Sequence, residues 1–486
     1  MKFTILSHAG LLVEHAGTSV LCDPWLVGSC YWRSWWNFPE PPAEALADLC
    51  PDYIYLSHIH WDHFHGPSLR RFARETCILV PKFPSRRMVE DLGHLGFRNV
   101  RQVPHGGRVE LGRGFELHSF QFGVIEDSAV VLTDGRTTLF DANDCKIFGL
   151  PLRQVRERFG TFDFVLRSHA NAQLLPYCLE DHEQHLPSHR THQDYIAEFT
   201  DFCLSLRARY ALPFASNHCF LHRETKRFNS TLLRPTAISD HYGRRAHELG
   251  LESELVIMAP GSSWSEEQGF RLRAFDYEDS QGYLELLEQK HADKLRRQYE
   301  LEDAERFDAQ SFRSYFETLF RATRLHAKLR PFRVLFKIRD REGEQYWELD
   351  SRRGSAEPVP APERFELLFE VHARVLNDCT KGMFRVWTPS KRIRVVVSDR
   401  RHLKQCSRFL GLLNNYEYEQ LPLWKNLRPR SLGVRLRRWR ELVEYARFAF
   451  RHRILRRPLV IGDLYARALR GAGPPRGRAG LEKPTA

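Results

Sequence analysis

The sequence of 486 residues lacks several features that define large classes of proteins. It contains no run of 18 apolar residues, so no segment is predicted to span a membrane. Its first residues contain no apolar stretch followed by a small-residue cleavage site, which predicts a protein without an export signal. It has neither a GxxxxGK(S/T) loop nor a GxGxxG loop after a strand, so these two kinds of nucleotide site are excluded.

The ten cysteines are scattered singly and never form a Cys-x-x-Cys pair. This spacing argues against a zinc ribbon and against a thioredoxin-type redox site. In a chain of this size without an export signal, we expect reduced thiols and a cytoplasmic location.

The net charge of +12 comes from one end of the chain. Residues 425–478 carry 16 Lys or Arg and 3 Asp or Glu, whereas residues 1–424 carry 56 and 57. The basicity therefore belongs to a C-terminal tail, and it gives no reason to expect nucleic acid at the core of the protein.

Within this tail, apolar residues recur at helical spacing on one face and arginines on the other. The apolar positions are Leu432, Leu436, Trp439, Leu442, Val443, Ala446 and Phe450. Basic helices of this kind lie on anionic membranes, so an anionic membrane surface is a candidate partner of residues 425–478. The alternative is that the apolar face docks on the protein itself.

Four potential metal ligands follow residues 53–57, a short apolar run typical of a buried strand. They are His58, His60, Asp62 and His63. Alternate residues of an extended segment project to the same side, so His58 and His60 can bind one ion while Asp62 and His63 serve a second. Imidazole and carboxylate ligands suit zinc, and also iron or manganese. A metal so held lowers the pKa of bound water to about 7, which supplies a nucleophile.

This His-x-His-x-Asp-His motif resembles the signature of the metallo-β-lactamase-fold superfamily. Residues 7–10 and Asp23-Pro24 are similar to the first strands of its lactonase-like branch. Asp144 stands where the superfamily has its metal-bridging aspartate, and His218 where the last metal histidine is expected.

The chain most resembles the C-terminal region of the CMP-N-acetylneuraminate hydroxylase family. The segments that carry this resemblance are residues 23–28, Trp35-Trp36, residues 55–60, Asp144-Cys145 and residues 213–215. Compared without gaps, that family's histidine falls on His222 rather than on His218. The family also has a Rieske domain, whose cluster needs two Cys and two His. This chain has no Cys-x-His pair, so we expect any electrons to come from an external donor.

One ligand of the superfamily pattern is missing. The superfamily places a third histidine of the first metal site near residues 123–127, where this chain has Gly-Val-Ile-Glu-Asp. Glu126 or Asp127 could replace it, or His118 or His105 could reach the site. Otherwise the first site is incomplete and a single metal binds.

Several further residues are candidates for the site or its surroundings. His8 and His169 are candidate pocket or metal residues, because each follows a predicted strand. Asp23 is expected to hydrogen-bond the ligand-bearing loop rather than to bind metal. The tryptophans either line a substrate pocket or pack a long loop onto the core; those assigned to the pocket are Trp25, Trp35 and Trp36.

We therefore predict an α/β protein of three parts. Residues 1–268 form an αββα metallo-β-lactamase sandwich, and residues 269–424 form a smaller α+β domain with a faint similarity to sterol-carrier proteins. Residues 425–486 form a basic helical and disordered tail. The protein is expected in the cytoplasm, with attachment to the inner face of a membrane as an option.

The predicted function is hydrolysis of an ester, lactone, amide or phosphodiester with one or two metal ions, zinc in preference to iron or manganese. Asp62 orients or deprotonates the water. The substrate is a small molecule, sugar- or nucleotide-linked if the resemblance holds. Two alternatives stay open: an iron-dependent oxygenase that hydroxylates a nucleotide sugar or related substrate, and a degenerate binding module without catalysis.

Overall fold

Two β-sheets face each other in the first part of the computed structural model, which describes residues 1–123, 126–170, 172, 174–186, 189–453 and 464–465. Its strands are β1 (Lys2–Ile5), β2 (Leu11–His15), β3 (Thr18–Cys22), β4 (Ser29–Cys30), β5 (Trp35–Asn37), β6 (Tyr53–Tyr55), β7 (Cys77–Pro81), β8 (Val100–Val103), β9 (Gly107–Gly112), β10 (Phe115–Phe122), β11 (Asp127–Thr133), β12 (Thr138–Asn143), β13 (Phe162–Ser168), β14 (Ala208–Phe214), β15 (His218–Phe220), β16 (Glu254–Leu255), β17 (Ser263–Ser265) and β18 (Gly269–Arg271). Its helices are α1 (Gly66–Leu69), α2 (Arg87–His94), α3 (Gly149–Phe159), α4 (His182–His185), α5 (His192–Ser205) and α6 (Ser239–Glu248).

The two sheets enclose the main core. Within the described residues, the first sheet has the order β18-β17-β1-β2-β3-β6-β7-β8 and the second has the order β16-β14-β13-β12-β11-β10-β9. Phe3, Leu79 and Leu166 are among the apolar side chains buried between them. Leu92 of α2 packs on the outer face of the first sheet and Phe202 of α5 on that of the second. The predicted αββα sandwich is therefore confirmed.

Local sequence explains several of these strands. In β2, Leu11 and Val13 alternate with more exposed residues and point into the core. The antiparallel strands β11 and β12 are joined at Asp134 and Gly135, and Gly135 has a φ of 83°. Glycine adopts this left-handed conformation without steric cost, so a tight hairpin forms here.

A second sheet domain follows the long helix α7 (Ser280–Asp303). Its elements are α8 (Ala309–Ala322), α9 (Arg324–Leu329), β19 (Arg333–Asp340), β20 (Gly343–Asp350), β21 (Ser355–Val359), β22 (Leu367–His372), α10 (Ala373–Cys379), α11 (Trp387–Ser390), β23 (Arg394–Val397) and α12 (Leu403–Glu417). The strand order is β21-β20-β19-β22-β23. Phenylalanines such as Phe312, Phe336 and Phe409 fill the core between the sheet and its helices. The similarity to sterol-carrier proteins stays a prediction.

Two helices, α13 (Pro429–Arg437) and α14 (Trp439–Arg453), form the described part of the tail. Val434 and Arg438 are buried, and the Tyr445 hydroxyl accepts a hydrogen bond from the backbone N–H of Gly123. The tail therefore docks on the first domain, but not with the apolar face predicted above, because Leu436 and Trp439 are exposed. The predicted disorder of the last residues lies outside the described residues.

The first domain extends past the predicted boundary at residue 268. Strand β18 pairs antiparallel with β17, so residues 269–271 belong to the first sheet. Among the described residues, no helix combines the length and the apolar character needed to cross a bilayer.

Candidate metal centre

The predicted ligands lie in a loop, residues 58–63, that we call the metal loop. It follows β6, which runs parallel to β3 and β7. In the second sheet β12, β13 and β14 are also parallel, and Asp144, His169 and His218 come after their carboxyl ends. Ligands of open α/β sheets bind beyond these strand ends. The fold therefore brings polar groups of both sheets to one edge of the sandwich.

Two groups of ligand atoms meet at this edge. Within each group the atoms lie within 4.8 Å of one another: His8 with Asp62 and His63, and His58 with His63 and Asp144. His8 Nε2 lies 3.2 Å and His63 Nε2 3.3 Å from Asp62 Oδ2. His63 Nε2 also lies 3.5 Å from Asp144 Oδ2. His63 thus stands between the two carboxylates.

His60 lies beside the second group. Its Nδ1 is 2.9 Å from Nε2 of His58. Two nitrogens on one tetrahedral zinc, each at about 2.0–2.1 Å, are about 3.4 Å apart. The two rings therefore stand close to the spacing that a shared ion requires.

Asp23 orients two of these histidines. Its Oδ2 accepts hydrogen bonds from His63 Nδ1 at 2.8 Å and from the Ser57 hydroxyl at 2.5 Å. The Ser57 oxygen in turn accepts from His58 Nδ1 at 2.9 Å. With both Nδ1 atoms protonated, His58 and His63 present the lone pairs of Nε2 to the site. Asp23 therefore has the supporting role that the sequence predicted.

Burial and neighbouring charges shift the pKa values of the histidines in a way that favours a bound cation. Burial lowers the pKa of His58 well below its usual value, and neighbouring histidines add to this effect. Burial lowers the pKa of His218 in the same way, so both rings are neutral, the form that binds metal. Burial also lowers the pKa of His63, but Asp62 and Asp23 outweigh it and hold that pKa well above its usual value. The carboxylates thus stabilise a positive charge at this position.

Of the two acids that could replace the missing third histidine, Asp127 is the one beside His58, and neither belongs to a ligand group among the described residues. Its Oδ1 lies 3.7 Å from His58 Nδ1, and burial raises its pKa to about 7. Glu126 is engaged elsewhere, because its carboxylate accepts hydrogen bonds from the backbone N–H and the hydroxyl of Ser85 at 2.9 and 2.7 Å. Ser85 therefore binds Glu126 and does not cap α2, which Arg86 precedes.

The two histidine alternatives for this position are also occupied elsewhere. His118 Nε2 pairs with Glu116 at 2.9 Å. His105 contacts Gln154 through Nε2 at 3.1 Å, and its Nδ1 accepts from the backbone N–H of Gln121 at 3.0 Å. Neither ring belongs to a ligand group among the described residues.

The choice of the last histidine changes from His222 to His218. His222 uses both nitrogens in a separate network: Nδ1 accepts from the backbone N–H of Glu224 at 3.1 Å, and Nε2 lies 3.2 Å from Glu302. His218 has no hydrogen-bond partner on either nitrogen. Its ring centroid lies 5.5 Å from that of His8, so it borders the first group.

His169 belongs to neither ligand group among the described residues, so the structure does not place it among the metal ligands. It is buried with both nitrogens unpartnered, and burial lowers its pKa to about 3. Its backbone N–H donates to the Ser216 hydroxyl at 3.0 Å. This contact ties the loop after β13 to the loop that precedes His218.

The tryptophans assigned to a substrate pocket are core residues instead. Trp25, Trp35 and Trp36 are at most 2% exposed. Trp35 stacks on His218 with ring centroids 3.7 Å apart, so it supports that histidine from behind. A cavity of about 740 Å³ is lined by other aromatic residues, including Trp61 of the metal loop.

Two site residues have no distinctive signal in the sequence. Tyr31 donates a hydrogen bond to Asp62 from a loop in which residues 31–33 all have φ between 54° and 60°. Arg385 comes from the second domain, where it stacks over Tyr418 and is near enough to His60 for its charge to lower the pKa of that histidine, although burial is the main cause. Both residues join the site only through contacts between segments that are distant in the sequence.

The donor set fits a metal ion. Both nitrogens of His8 and of His218, and Nε2 of His63, are buried without a hydrogen-bond partner among the described residues. A buried polar atom without a partner costs about 1–3 kcal/mol. A cation bound by histidine nitrogens and the two carboxylates would satisfy these atoms, and this ligand chemistry suits zinc, iron or manganese.

Comparison with known proteins agrees with this geometry. The model of the β-lactamase superfamily domain matches residues 2–143, which include β1 to β12 and the whole metal loop. The predicted resemblance to the superfamily is therefore confirmed for residues 2–143, the part of the sandwich that carries most of the candidate ligands.

Curated relatives of this superfamily domain include proteins named for oxidative centres. A Mycolicibacterium smegmatis protein that bears the name of a Rieske 2Fe-2S iron-sulfur protein is 30% identical over 243 residues, 47% of this chain and 46% of that protein. Mouse cytidine monophosphate-N-acetylneuraminic acid hydroxylase is 34% identical over 111 residues, 22% of this chain and 19% of that protein. The chain thus spans less than half the length of either, and the predicted resemblance to the hydroxylase family is confirmed.

Among solved structures, an isothiocyanate hydrolase from Delia radicum gut bacteria is similar to this chain. It is 17% identical, with a TM-score of 0.39, and the match covers 55% of this chain and 99% of that one.

Proposed function

We propose that this chain is a metal-dependent hydrolase whose ions are held by His58, His60, Asp127 and Asp144 on one side and by His8, Asp62, His63 and His218 on the other. The observation that carries the proposal is the set of buried histidine nitrogens without partners beside two carboxylates. When bound, the metal would acidify a water molecule and polarise the bond to be broken.

The chain's own residues then have distinct roles. Asp62 is placed to hold a proton from the attacking water, because its Oδ2 lies between His8 and His63. The Tyr31 hydroxyl donates to the other oxygen, Oδ1, and so sets the direction in which this carboxylate points. Asp23 holds His63 in one tautomer from the opposite side.

The test combines metal analysis with a substrate panel. Untagged protein, purified without chelators, should contain one or two equivalents of zinc, iron or manganese and should hydrolyse at least one of an ester, a lactone, an amide and a phosphodiester. His60→Ala should lose metal and hydrolysis, whereas His247→Ala, which changes an exposed histidine of α6, should lose neither. Full metal content in His60→Ala would refute the ligand assignment.

An iron-dependent oxygenase is a second candidate, favoured by one observation of the site. His58, His63 and Asp144 form a set of two histidines and one carboxylate, a ligand set that is typical of non-haem iron oxygenases. The names of the curated relatives agree with this chemistry. Iron as the purified metal, together with oxygen uptake supported by an external reductant and no hydrolysis, would favour it over the hydrolase.

A further inference from the structure

Two cavities meet beside the metal loop, at the junction of the two domains. The larger, about 740 Å³, is lined by Trp61 of the metal loop and by Tyr31, which donates to Asp62. The second measures about 520 Å³, and the two share Arg87, Gly382 and Arg385. A ligand in these cavities would therefore lie beside the metal loop and extend towards the arginines.

Arg385 lines both cavities and has two guanidinium nitrogens without a hydrogen-bond partner in the described part of the chain. It is 7% exposed, and its Nη2 donates to the backbone carbonyl of Glu417 at 2.5 Å. Its Nε and Nη1 have no hydrogen-bond partner among the described residues, although the Glu417 carboxylate lies 3.7 Å from Nε. A buried guanidinium with two free donors is suited to a carboxylate or a phosphate group, which accepts from two N–H groups at once.

The surrounding charge favours an anion as well. The walls of the two cavities together contain eight Lys or Arg and five Asp or Glu residues. One of the eight, Arg87, is paired with Asp91 at 2.8 Å, and Arg70 has no partner within the described residues. A cleft lined by an excess of one charge concentrates ligands of the opposite charge.

We propose that Arg385 anchors an anionic group of the substrate, a phosphate or a carboxylate, while the bond to be broken lies at the metal centre. Only the position of the bond at the metal centre rests on the proposed function; anion binding by Arg385 does not depend on it. It assigns the second domain a part in substrate specificity, since Arg385 lies in the short segment between α10 and α11.

Direct binding tests the anchor without relying on catalysis. Pyrophosphate and succinate are titrated calorimetrically into the full chain, into Arg385→Gln and into Arg352→Gln, which changes an exposed arginine of the same domain. We expect at least one anion to bind and Arg385→Gln to weaken it about tenfold or more, with Arg352→Gln unchanged. The preferred anion distinguishes phosphate from carboxylate. His60→Ala should still bind it, because the anchor is an arginine and not the metal.

Kinetics on paired neutral and anionic esters complete the test. Arg385→Gln should raise KM for the anionic ester about tenfold more than KM for the neutral ester. Equal binding of both anions by Arg385→Gln and the parent chain would overturn the proposal, as would loss of binding in His60→Ala alone. If Arg385→Gln does not fold, as judged by thermal melting, Arg385→Lys, which keeps the charge but loses the two adjacent donors, replaces it with the same expectation. A chain that binds anions through Arg385 but hydrolyses no ester would refute the proposed function and leave the anchor standing.

A separate observation, on the tail, carries a second proposal. Of the 14 large apolar side chains that are exposed among the described residues, eight lie in residues 423–450. They are Leu423, Trp424, Leu427, Leu432, Leu436, Trp439, Val443 and Phe450, and we call them the apolar tail face. Concentrations of exposed apolar side chains mark interaction surfaces.

The helices that carry this face are fixed to the protein by their other side. Glu441 and Arg438 form a buried ion pair, and Arg438 Nη2 donates to the backbone carbonyl of Gly123 at 2.9 Å. Phe448 packs on Phe148 with ring centroids 5.8 Å apart. The apolar tail face is therefore held outward.

Its rim is basic. The exposed arginines are Arg428, Arg437, Arg440, Arg447 and Arg451. Arg428 lies over the ring of Trp424 and Arg440 over that of Trp439, at 4.9 and 5.6 Å. Tryptophan and arginine together suit the boundary between lipid headgroups and acyl chains, and the arginines add attraction to anionic lipids.

We infer that the apolar tail face binds the surface of an anionic lipid bilayer. The full chain should sediment with vesicles of phosphatidylcholine and phosphatidylglycerol at low salt, and not with phosphatidylcholine alone. The triple change Leu436→Gln, Trp439→Gln and Val443→Gln should reduce the bound fraction about tenfold. Leu325→Gln, at a leucine of the second domain that is 68% exposed, should not.

Absence of sedimentation of the full chain at low salt would overturn this second proposal. So would equal sedimentation of the triple variant, since the arginines alone would then account for binding. If only a chain that ends at residue 453 sediments, the later residues are the occupant of the face, and the membrane proposal is wrong for the full chain.

Discussion

Replacement of Arg392 by methionine should lower the free energy of unfolding by about 3–5 kcal/mol, because it removes a cation from a buried ionic network. Arg392 Nη1 lies 3.0 Å from Glu302, and Nε lies 2.7 Å from Glu224. Neither the Arg392 nor the Glu302 side chain is exposed. Nη1 also donates to the backbone carbonyl of Trp32 at 3.0 Å, so the network joins the first domain, α7 and the second domain.

The size of the loss in unfolding free energy depends on the carboxylates that stay buried when Arg392 is replaced. Glu224 keeps an ion pair with Arg339, but Glu302 keeps only His222 and a hydrogen bond from Gln298 at 2.8 Å. A fully buried carboxylate without its cation is the costly product. The double variant Arg392→Met with Glu302→Gln removes both charges and should be more stable than Arg392→Met alone.

The assay is urea unfolding at pH 7, followed by tryptophan fluorescence. Arg333→Met is the matched control, since Arg333 is 57% exposed in its ion pair with Glu348. A surface pair contributes about 0–1 kcal/mol, so the control should change little. If Arg392→Met costs no more than Arg333→Met, the network does not stabilise the domain junction and the reasoning is refuted.

The pH dependence has a definite sign. Burial raises the pKa of Glu302, but the hydrogen bond of His222 and the charge of Arg392 outweigh it and hold the pKa below its usual value. Because the pKa of the folded state is the lower one, the stabilisation is complete above the unfolded pKa of about 4.3 and is lost as the pH falls. The difference between the parent chain and Arg392→Met should therefore narrow on acidification from about pH 6 to about pH 3.

Three further predictions concern the metal centre. His60→Ala should lose metal, measured by elemental analysis, whereas His222→Ala should keep it and unfold at lower urea; equal metal loss in both would restore His222 as a ligand. Asp127→Ala should lower metal content and Glu126→Gln should not, since only the first carboxylate faces the histidines; the reverse result would contradict the assignment of the third ligand. Tyr31→Phe should reduce kcat about 10–100-fold with metal content unchanged, because it removes the donor that orients the aspartate of the motif; an unaltered kcat would argue against that role.

The sequence by itself determined the parts of this protein that depend on neighbouring residues. The spacing of His58, His60 and His63 after a buried strand places three rings on one short loop wherever that strand lies. Asp134 and Gly135 set a hairpin because backbone conformation at a turn is a local property. The αββα class follows from such strands and from the resemblance that the motif carries.

Only the tertiary structure decided which distant groups meet this loop. His218 and His222 are equally plausible by sequence, but β15 pairs with β5 in a register that sets His218 opposite Asn37 and leaves His222 beyond the strand. Trp35, on the same pair of strands, is buried by that pairing and becomes a support for His218 rather than a pocket wall. Register and packing depend on the whole sheet, so no local pattern contains this information.

Tertiary packing also decided how the second domain and the tail contribute. Arg385 reaches the metal loop because two domains pack together, and its own sequence neighbourhood carries no signal of a site. The tail has two apolar sides, and helical spacing alone cannot say which one docks. Val434 and Phe448 fit against the first domain, whereas Leu436 and Trp439 do not, since complementarity of shape with a partner surface is decided in three dimensions.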